Sequence, residues 1–329
     1  MLGVLLAHVR PFACEMDRPT PMFPTRINNT PCRPLRLGTR GSTLARWQAN
    51  WTAEQLRAQG IAVEMVIIAT SGDIIQNESI VSIGAPGVFT KEIQRALLEN
   101  RIDLAVHSLK DLPTEPIAGL ALAAVPTRAS FRDAFVSLMA ERIEDLPRGA
   151  RIGTGSLRRK TQLLHHFGNQ YHIEDIRGNV ETRLRKLKQG AYEALILAEA
   201  GLLRLGLADS IRSLLEPPFF LPAVGQGALG WEVRTEDRQT AEVLQPLNDP
   251  ATWAAVFAER AMLRKLQGGC SAPIAALGMV KDATLTLHGR ILSLDGTNAF
   301  DATQSAPLSD NPETLGINVA EELTTLYRP

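Results

Sequence analysis

Two kinds of apolar pattern follow one another from position 35 onward. Short apolar runs typical of buried strands alternate with longer segments in which apolar residues recur every three or four positions, as in amphipathic helices. In the first part of the chain the pattern predicts strands at 35–38, 63–69, 103–106 and 120–125, and helices at 43–58 and 90–99. Gly60 and Asn100 follow the two helices, and both residue types commonly end a helix.

A further strand is predicted at 134–136, and the same alternation then begins again at position 151. It predicts strands at 151–153, 171–176 and 194–197, and helices at 157–167 and 180–189. Strands that alternate with helices favour parallel sheets with helices on both faces, so we predict two similar α/β domains. The segment 221–234 is interpreted as a return of the chain to the first domain.

The last part of the chain has a different order of elements. A long amphipathic helix is predicted at 253–266, followed by strands at 276–279, 285–291 and 299–302 and a final helix at 312–327. This order predicts a small α+β domain. The predicted domains are therefore 35–126 with 222–244, then 127–221, then 245–329.

The first 34 residues differ from the rest because they contain six prolines and no regular pattern. Proline removes a backbone donor and fixes φ, so a disordered extension is predicted for 1–34. Translation starting at Met16 or Met22, or a transit peptide, are the alternatives. The apolar run at 1–9 has no basic segment before it, which argues against a secretory signal.

Composition narrows the classes of function. The 329 residues include 35 basic and 35 acidic side chains, a balance that argues against nucleic-acid binding. No apolar stretch is long enough to span a membrane. The three cysteines, Cys14, Cys32 and Cys270, form neither a zinc motif nor a disulfide framework, so we expect no metal site and a reducing cytoplasm.

Candidate chemistry lies where predicted strands end. The segment 107–111 (HSLKD) follows a buried strand and places Lys110 and Asp111 at the edge where open α/β sheets bind ligands. A lysine and a carboxylate at that edge suit proton and charge chemistry. Spacing alone favours the alternative, a solvated loop with an incidental salt bridge.

A second strand–helix turn, at 153–159 (GTGSLRR), suits an anion. The helix N-terminus offers free N–H groups, Ser156 adds a hydroxyl, and Arg158 and Arg159 add planar donor pairs for carboxylates or phosphates. A capped helix with solvated arginines is an equally good interpretation. Further arginines follow other predicted strand ends or helix starts and together predict a polyanionic small ligand: Arg40, Arg177, Arg183 and Arg204.

Two residues next to glycines are the remaining candidates for the site. Cys270 follows Gly268 and Gly269 at the end of a predicted helix, where its thiol could form a covalent link or simply be buried in a turn; the turn is favoured on this feature alone. Gln226 lies between Gly225 and Gly227, in either an interdomain hinge or an ordinary turn.

Taken together, these segments resemble the porphobilinogen deaminase family. The resemblance runs from about position 35 to 270 and rests on motifs in a fixed order: 38–42 (GTRGS), 70–73 (TSGD), 105–113 (AVHSLKDLP), 156–159 (SLRR), 177–180 (RGNV), 221–228 (LPAVGQGA) and 268–270 (GGC). One departure lies at 84–87 (GAPG), where many relatives carry a lysine between glycines.

The resemblance implies a fold, a cofactor and site residues. It implies two α/β domains like those of periplasmic binding proteins plus a small α+β domain, and a dipyrromethane cofactor in thioether linkage to Cys270. Asp111 is implied as the catalytic carboxylate. The cofactor is expected to contact Lys110, Ser156, Arg158 and Arg159. Substrate and growing chain are expected to contact Arg40, Ser42, Gln48, Phe89, Arg177, Arg183, Arg204 and Gln226.

The implied reaction is the stepwise condensation of four porphobilinogen molecules with loss of ammonia, followed by hydrolysis to hydroxymethylbilane. A monomeric cytoplasmic enzyme without nucleic-acid or membrane partners is expected. The alternative is a non-enzymatic anion-binding protein on the same scaffold, which would need the arginines but neither Asp111 nor Cys270.

Overall fold

The computed structural model describes residues 33–69, 90–267 and 273–327. The described strands form two five-stranded sheets and one three-stranded sheet. Their bounds, in chain order, are β1 Leu35–Thr39, β2 Val63–Ile67, β3 Leu104–Ser108, β4 Leu120–Ala124, β5 Asp133–Ser137, β6 Arg151–Gly153, β7 His172–Glu174, β8 Ala194–Ala198, β9 Ser213–Leu215, β10 Leu229–Arg234, β11 Ile274–Lys281, β12 Thr284–Leu292 and β13 Ala299–Pro307.

The helices flank these sheets. Their bounds are α1 Thr43–Ala58, α2 Lys91–Leu98, α3 Leu157–Phe167, α4 Val180–Lys188, α5 Glu199–Arg204, α6 Arg238–Leu244, α7 Pro250–Gln267 and α8 Pro312–Tyr327. Short 3₁₀ turns join several elements, among them Leu109–Asp111 directly after β3. Most predicted helices and strands are therefore present within a few residues of their predicted bounds.

The first sheet has the order β2-β1-β3-β10-β4. One face packs on α1 and α6 through an apolar cluster that includes Leu37, Leu56, Trp231 and Leu244. The opposite face packs on α2 through Ile93, among others. As the sequence predicted, the segment after position 221 returns to this sheet as β10.

The second sheet repeats this layering with the order β7-β6-β8-β5-β9. Phe135 and Leu163 lie in the apolar cluster that includes α3, and Val136 and Leu187 lie in the cluster that includes α4. Successive residues of β5 thus point to opposite faces, as a strand covered on both sides requires. The third sheet, β11-β12-β13, packs on α7 and α8 through Met262 and Val319.

The predicted fold class, two α/β units and a small α+β unit, is confirmed. The predicted parallel pairing holds for β1 with β2 and β3 and for β6 with β7 and β8, but each sheet is mixed and not wholly parallel. Strand β10 runs antiparallel to β3 and β4, and β5 runs antiparallel to β8 and β9. Neither strand is reached by a helical crossover from its neighbour, so the rule that makes βαβ units parallel does not apply to them. The alternation of elements along the chain carries no signal for this reversal.

Residue Arg33, within the predicted extension 1–34, is tied to the first sheet. Its guanidinium donates to both carboxylate oxygens of the buried Asp103, at 2.7 and 2.9 Å. Burial opposes ionisation of Asp103, but hydrogen bonds from Arg33 and Arg36 outweigh it and lower the pKa of the carboxyl group. Residues 1–32 lie outside the described residues.

Candidate active site

The first half of the site is a pocket at the carboxyl edge of the first sheet. Strands β1 and β3 both end there, and the pocket is lined by Arg40, Ser42, Gln48, Ser108 and Asp111, with others. Arg40 follows β1 directly, and Asp111 ends the 3₁₀ turn after β3. The structure therefore brings together the predicted residues of two separate motifs.

Helix α1 is fixed against this pocket by two polar contacts. The Oγ of Ser42 accepts from the backbone N–H of Ala45 at 3.4 Å and so caps the helix. The buried amide of Gln48 donates to the Oγ of Ser108 at 2.7 Å and ties the helix to the end of β3. Ser42 and Gln48 thus shape the pocket wall besides being candidate ligand contacts.

A buried cluster of three polar side chains joins β3 to β10 and α2. Glu232 on β10 pairs with His107 at 3.0 Å and accepts a hydrogen bond from Gln94 of α2, also at 3.0 Å. All three side chains are buried. The sequence shows His107 only as part of a motif and does not indicate Gln94 or Glu232, because a carboxylate inside an apolar run gives no sign of its partner.

Lys110 precedes Asp111, and its side chain is exposed, yet the surrounding protein desolvates its amino group. This desolvation lowers the pKa of Lys110 to about 8, and Asp111 partly opposes the shift. Arg158 and Arg159 lower the pKa of Lys110 further, so the lysine is electrostatically coupled to the second sheet.

The second half of the site lies at the carboxyl edge of the second sheet. Ser156 caps α3, its Oγ accepting from the backbone N–H of Arg159 at 3.5 Å. Arg158 and Arg159 are both buried, and both pair with the fully buried carboxylate of Asp133, at 2.8 and 2.7 Å. The capped helix and the anion-site interpretations of this turn are therefore compatible, but the arginines are not solvated.

Asp133 was missed by sequence analysis. It is the first residue of β5, and in a parallel sheet it would lie at the edge opposite the site. Because β5 is antiparallel to β8, Asp133 lies opposite Ala198, the last residue of β8, and so reaches the carboxyl edge.

Gln226 lies in a tight turn that joins the two halves of the site. The turn passes so close to other backbone that a Cβ on Gly227 would lie 2.4 Å from the carbonyl oxygen of Ser130, and one on Gly225 would lie 3.2 Å from the backbone N of Lys110. Both glycines have positive φ, at 68° and 85° for Gly225 and Gly227. The buried amide of Gln226 donates to Asp133 at 2.9 Å.

The same turn is anchored to the third sheet. Glu259 of α7 is fully buried and accepts from Arg128 at 2.6 Å, from the backbone N–H of Gly225 at 2.7 Å and from that of Gly278 at 2.8 Å. Arg128 also donates through Nε to the carbonyl oxygen of Gln226 at 2.8 Å. One buried ion pair therefore joins the turn before β10 and the segment between β4 and β5 to the third sheet.

The remaining predicted arginines differ in environment. Arg183 donates to the carbonyl oxygen of Gly178 at 2.8 Å, and desolvation lowers its pKa to about 10. Arg204 donates to the carbonyl oxygen of Gly227 at 2.7 Å, its guanidinium lies 5.8 Å from the ring centre of Trp47, and desolvation lowers its pKa to about 10. Arg177 is 72% exposed and pairs with Asp175 at 2.8 Å.

Two predicted site residues, Phe89 and Cys270, lie outside the described residues, as does the departure at 84–87. Within the described ranges, no helix is long and apolar enough to cross a membrane. The same ranges contain no group of three or more histidine, cysteine, aspartate and glutamate side chains that could hold a metal ion.

The cationic side chains at the carboxyl edges of the two sheets fit a ligand with several carboxylates. Arg40 lines the pocket, and Lys110, Arg183 and Arg204 have a lowered pKa because the protein desolvates them. The Nε of Arg158 is buried and finds no hydrogen-bond acceptor among the residues that the structure describes. A buried donor of this kind is costly unless a ligand group accepts from it.

Comparison with known sequences gives long matches at high identity. The chain is 47% identical over 293 residues to a porphobilinogen deaminase from Desulforudis audaxviator, covering 88% of this chain and 94% of that protein. It is 49% identical over 291 residues to the protein of that name from Trichlorobacter lovleyi, covering 88% and 92%. A third relative, from Gloeobacter violaceus, is 47% identical over 297 residues.

Solved structures give a more distant likeness. A methionine-binding lipoprotein from Bacillus subtilis matches with a TM-score of 0.40 at 12% identity, covering 65% of this chain and 89% of that one. A nutrient binding protein from Burkholderia cenocepacia bound to methionine matches with a TM-score of 0.41 at 14% identity, covering 71% and 96%.

Family models account for most of the chain. The porphobilinogen deaminase dipyromethane cofactor binding domain matches residues 35–242, and the porphobilinogen deaminase C-terminal domain matches residues 253–325. Attachment of that cofactor through a cysteine is consistent with the family. The match also decides against a non-enzymatic anion-binding protein. The chain therefore belongs to the porphobilinogen deaminase family, and it is a transferase that condenses porphobilinogen to hydroxymethylbilane with a dipyrromethane cofactor.

Proposed function

We propose that Asp111 is the catalytic carboxylate of this condensation. The observation that carries the proposal is its place in the pocket beside Arg40 and Ser42, at the carboxyl edge of the first sheet. Loss of ammonia from porphobilinogen leaves positive charge spread over the pyrrole ring. A fixed carboxylate next to that ring stabilises the charge and can hold a proton that is released when the new carbon–carbon bond forms.

The cationic side chains hold the acetate and propionate groups of substrate and product. Arg40 and Ser42 serve the pocket of the first sheet, and Gln48 holds that wall in place. Arg183 and Arg204 bind carboxylates of the ligand outside that pocket. Arg177, which is exposed, meets the chain only when the chain has grown. Phe89 and Gln226 are the remaining proposed substrate contacts. Phe89 is proposed from the family resemblance alone, and Gln226 is proposed because it lies in the turn between the two halves of the site.

The cofactor is held by residues of the second sheet and the turn before it. Lys110, Ser156, Arg158 and Arg159 supply donors for its carboxylates, and the unsatisfied Nε of Arg158 supports this assignment. When bound, the dipyrromethane supplies the pyrrole carbon to which substrate is added. We assign its attachment to the sulfur of Cys270, between α7 and β11 along the chain.

We also propose the finer organisation of the molecule. The membership of β10 in the first sheet supports domain 1 at 35–126 and 222–244, domain 2 at 127–221 and domain 3 at 245–329. The sparse cysteines support a cytoplasmic location, and the balanced charge supports the absence of nucleic-acid partners. The monomeric state and the absence of membrane partners are proposed from the family resemblance.

The intact mass of purified protein tests the attachment. Wild type should carry the added mass of one dipyrromethane, and Cys270→Ser should carry none. Cys32→Ser is the matched control, because it removes a cysteine that lies before the first matched position, and it should keep the added mass. Added mass on Cys270→Ser would remove this cysteine from the proposal, whereas its absence from wild type purified from porphobilinogen-producing cells would contradict the function itself.

A further inference from the structure

Asp133 is the most completely enclosed carboxylate of the candidate site. Its side chain has no exposed surface, and it lies between the two arginines of the 156–159 motif. One oxygen lies 2.8 Å from Arg158, and the other accepts from Arg159 at 2.7 and 3.0 Å and from Gln226 at 2.9 Å. No motif of the sequence includes this residue.

These contacts determine the orientation of Arg159. Its Nε and Nη2 donate to Asp133, and its Nη1 donates to the carbonyl oxygen of Ile196 at 3.0 Å. All three nitrogens of the guanidinium therefore have fixed partners. Arg158 is held by Asp133 and by the carbonyl oxygen of Leu221 at 2.6 Å, while its Nε has no acceptor among the described residues.

The charges around Asp133 explain why a carboxylate is needed there. Two guanidinium groups buried side by side repel each other, and each loses hydration. Burial opposes the ionised form of Asp133, but Arg158 and Arg159 outweigh it and lower the pKa of the carboxyl group. The carboxylate stays charged over the working pH range. The cluster of Asp133, Arg158 and Arg159 then has a net positive charge of about one, which suits a carboxylate ligand.

We propose that Asp133 is a positioning residue: it holds Arg158 and Arg159 in the orientation in which they bind the carboxylates of the cofactor and growing chain. This inference rests on the proposed function of those two arginines. Asp133 itself is enclosed, so it acts through the two arginines. Gln226 extends the same arrangement, because its amide donates to Asp133 and its carbonyl oxygen accepts from Arg128, the partner of Glu259.

A double-mutant cycle tests whether Asp133 acts through Arg159. Asp133→Asn, Arg159→Gln and the double variant are compared by kcat/KM per folded molecule and by the fraction of protein that carries cofactor mass. Displacing a binding group by about 1 Å costs about 100-fold, so each single variant should lose about that factor. The double variant should be no worse than the poorer single variant. It also keeps the net charge of the buried cluster, so it should fold at least as well as Asp133→Asn.

Independent effects, with a loss of about 10⁴ in the double variant, would overturn the proposal. Asp133→Glu provides a second test, since it keeps the charge but moves it by about one methylene. Positioning predicts that folded Asp133→Glu keeps a low kcat/KM and a low cofactor fraction, whereas wild-type values would show that only the charge matters and would also overturn it. Glu193→Gln is the control, because Glu193 pairs with Arg151 in the same sheet, at 2.6 Å, outside the proposed site. Failure of the proposed function itself would appear separately, as wild type without cofactor mass or turnover.

Discussion

The two carboxyl edges that form the site are built on different principles. At the edge of the first sheet, Arg40, Ser42 and Asp111 line an open pocket and follow their strands directly. At the edge of the second sheet, Arg158 and Arg159 are buried and are paired with a carboxylate before any ligand binds. This contrast is what the proposed function requires of a first edge that accepts a small substrate and a second edge that holds a cofactor.

Because of this difference, substitutions at the two edges should affect the reaction and the stability of the fold to different degrees. Asp111 is exposed, so replacing it should change the reaction and leave folding intact. Arg158 is part of a buried charge cluster, so replacing it should change folding as well as binding.

Asp111→Asn should lower turnover by roughly two to four powers of ten, because it removes the charge that stabilises the cationic transition state. Asp111→Glu keeps the charge and should retain more activity. The variants are first loaded with preformed hydroxymethylbilane, since the same chemistry builds the cofactor, and single-turnover rates are then measured. Near-normal turnover in Asp111→Asn, with only a change in thermal stability, would make Asp111 a salt-bridge partner of Lys110 and nothing more.

The sequence predicted the first edge better than the second for a physical reason. Asp111, Arg40 and Ser42 belong to contiguous motifs that follow their own strands, so local pattern and family resemblance both point to them. Asp133, which the sequence did not predict, reaches the site only because β5 is antiparallel to β8. Gln226 was predicted from its own motif, and it reaches the site because β10 is antiparallel to β3.

Long-range pairing explains the other omissions. Glu259 and Arg128 are 131 positions apart, and Glu232 and His107 are 125 apart, so neither pair leaves a local signal in one sequence. The fold class was predictable because helices and strands repeat with clear periodicities. The direction of β5 and β10 was not, because apolar pattern gives the faces of a strand and not its direction.

Arg158→Leu and Arg177→Leu should separate a buried from an exposed arginine. Removing Arg158 leaves one oxygen of Asp133 without its cation, and we expect a loss of about 2–3 kcal/mol in the free energy of unfolding, less than for a fully orphaned charge because Arg159 remains. Arg177 is 72% exposed, and its loss should change stability by less than about 0.5 kcal/mol.

Chemical denaturation measures both stabilities, and mass spectrometry of the cofactor-bearing complexes measures the second effect. Arg158→Leu should lower the fraction that carries cofactor, whereas Arg177→Leu should carry cofactor normally and accumulate late, longer complexes. Equal stability and equal distributions of complexes in the two variants would show that burial does not distinguish the two edges.

The smallest expected effect is a pH-dependent change in stability caused by Lys110, which lies at the first edge and is influenced by the arginines of the second. Desolvation lowers the pKa of Lys110 from 10.5 to about 8, with further lowering by Arg159 and Arg158. Between pH 8 and 10.5 the folded protein has released a proton that the unfolded chain still binds, so this group makes stability rise with pH in that window. The difference in Tm between wild type and Lys110→Gln should therefore shift in favour of wild type from pH 8 to 10.5. The shift should be small, because the side chain of Lys110 is exposed and solvent screens its charge. In an Arg159→Gln background the window should be narrower, because one cation that opposes protonation of Lys110 is gone.

Lys160→Gln, which removes an exposed lysine from α3, is the control and should show no such shift between wild type and variant. A Tm difference for Lys110→Gln that stays constant over the window, or one that is unchanged by Arg159→Gln, would show that the two edges are electrostatically independent.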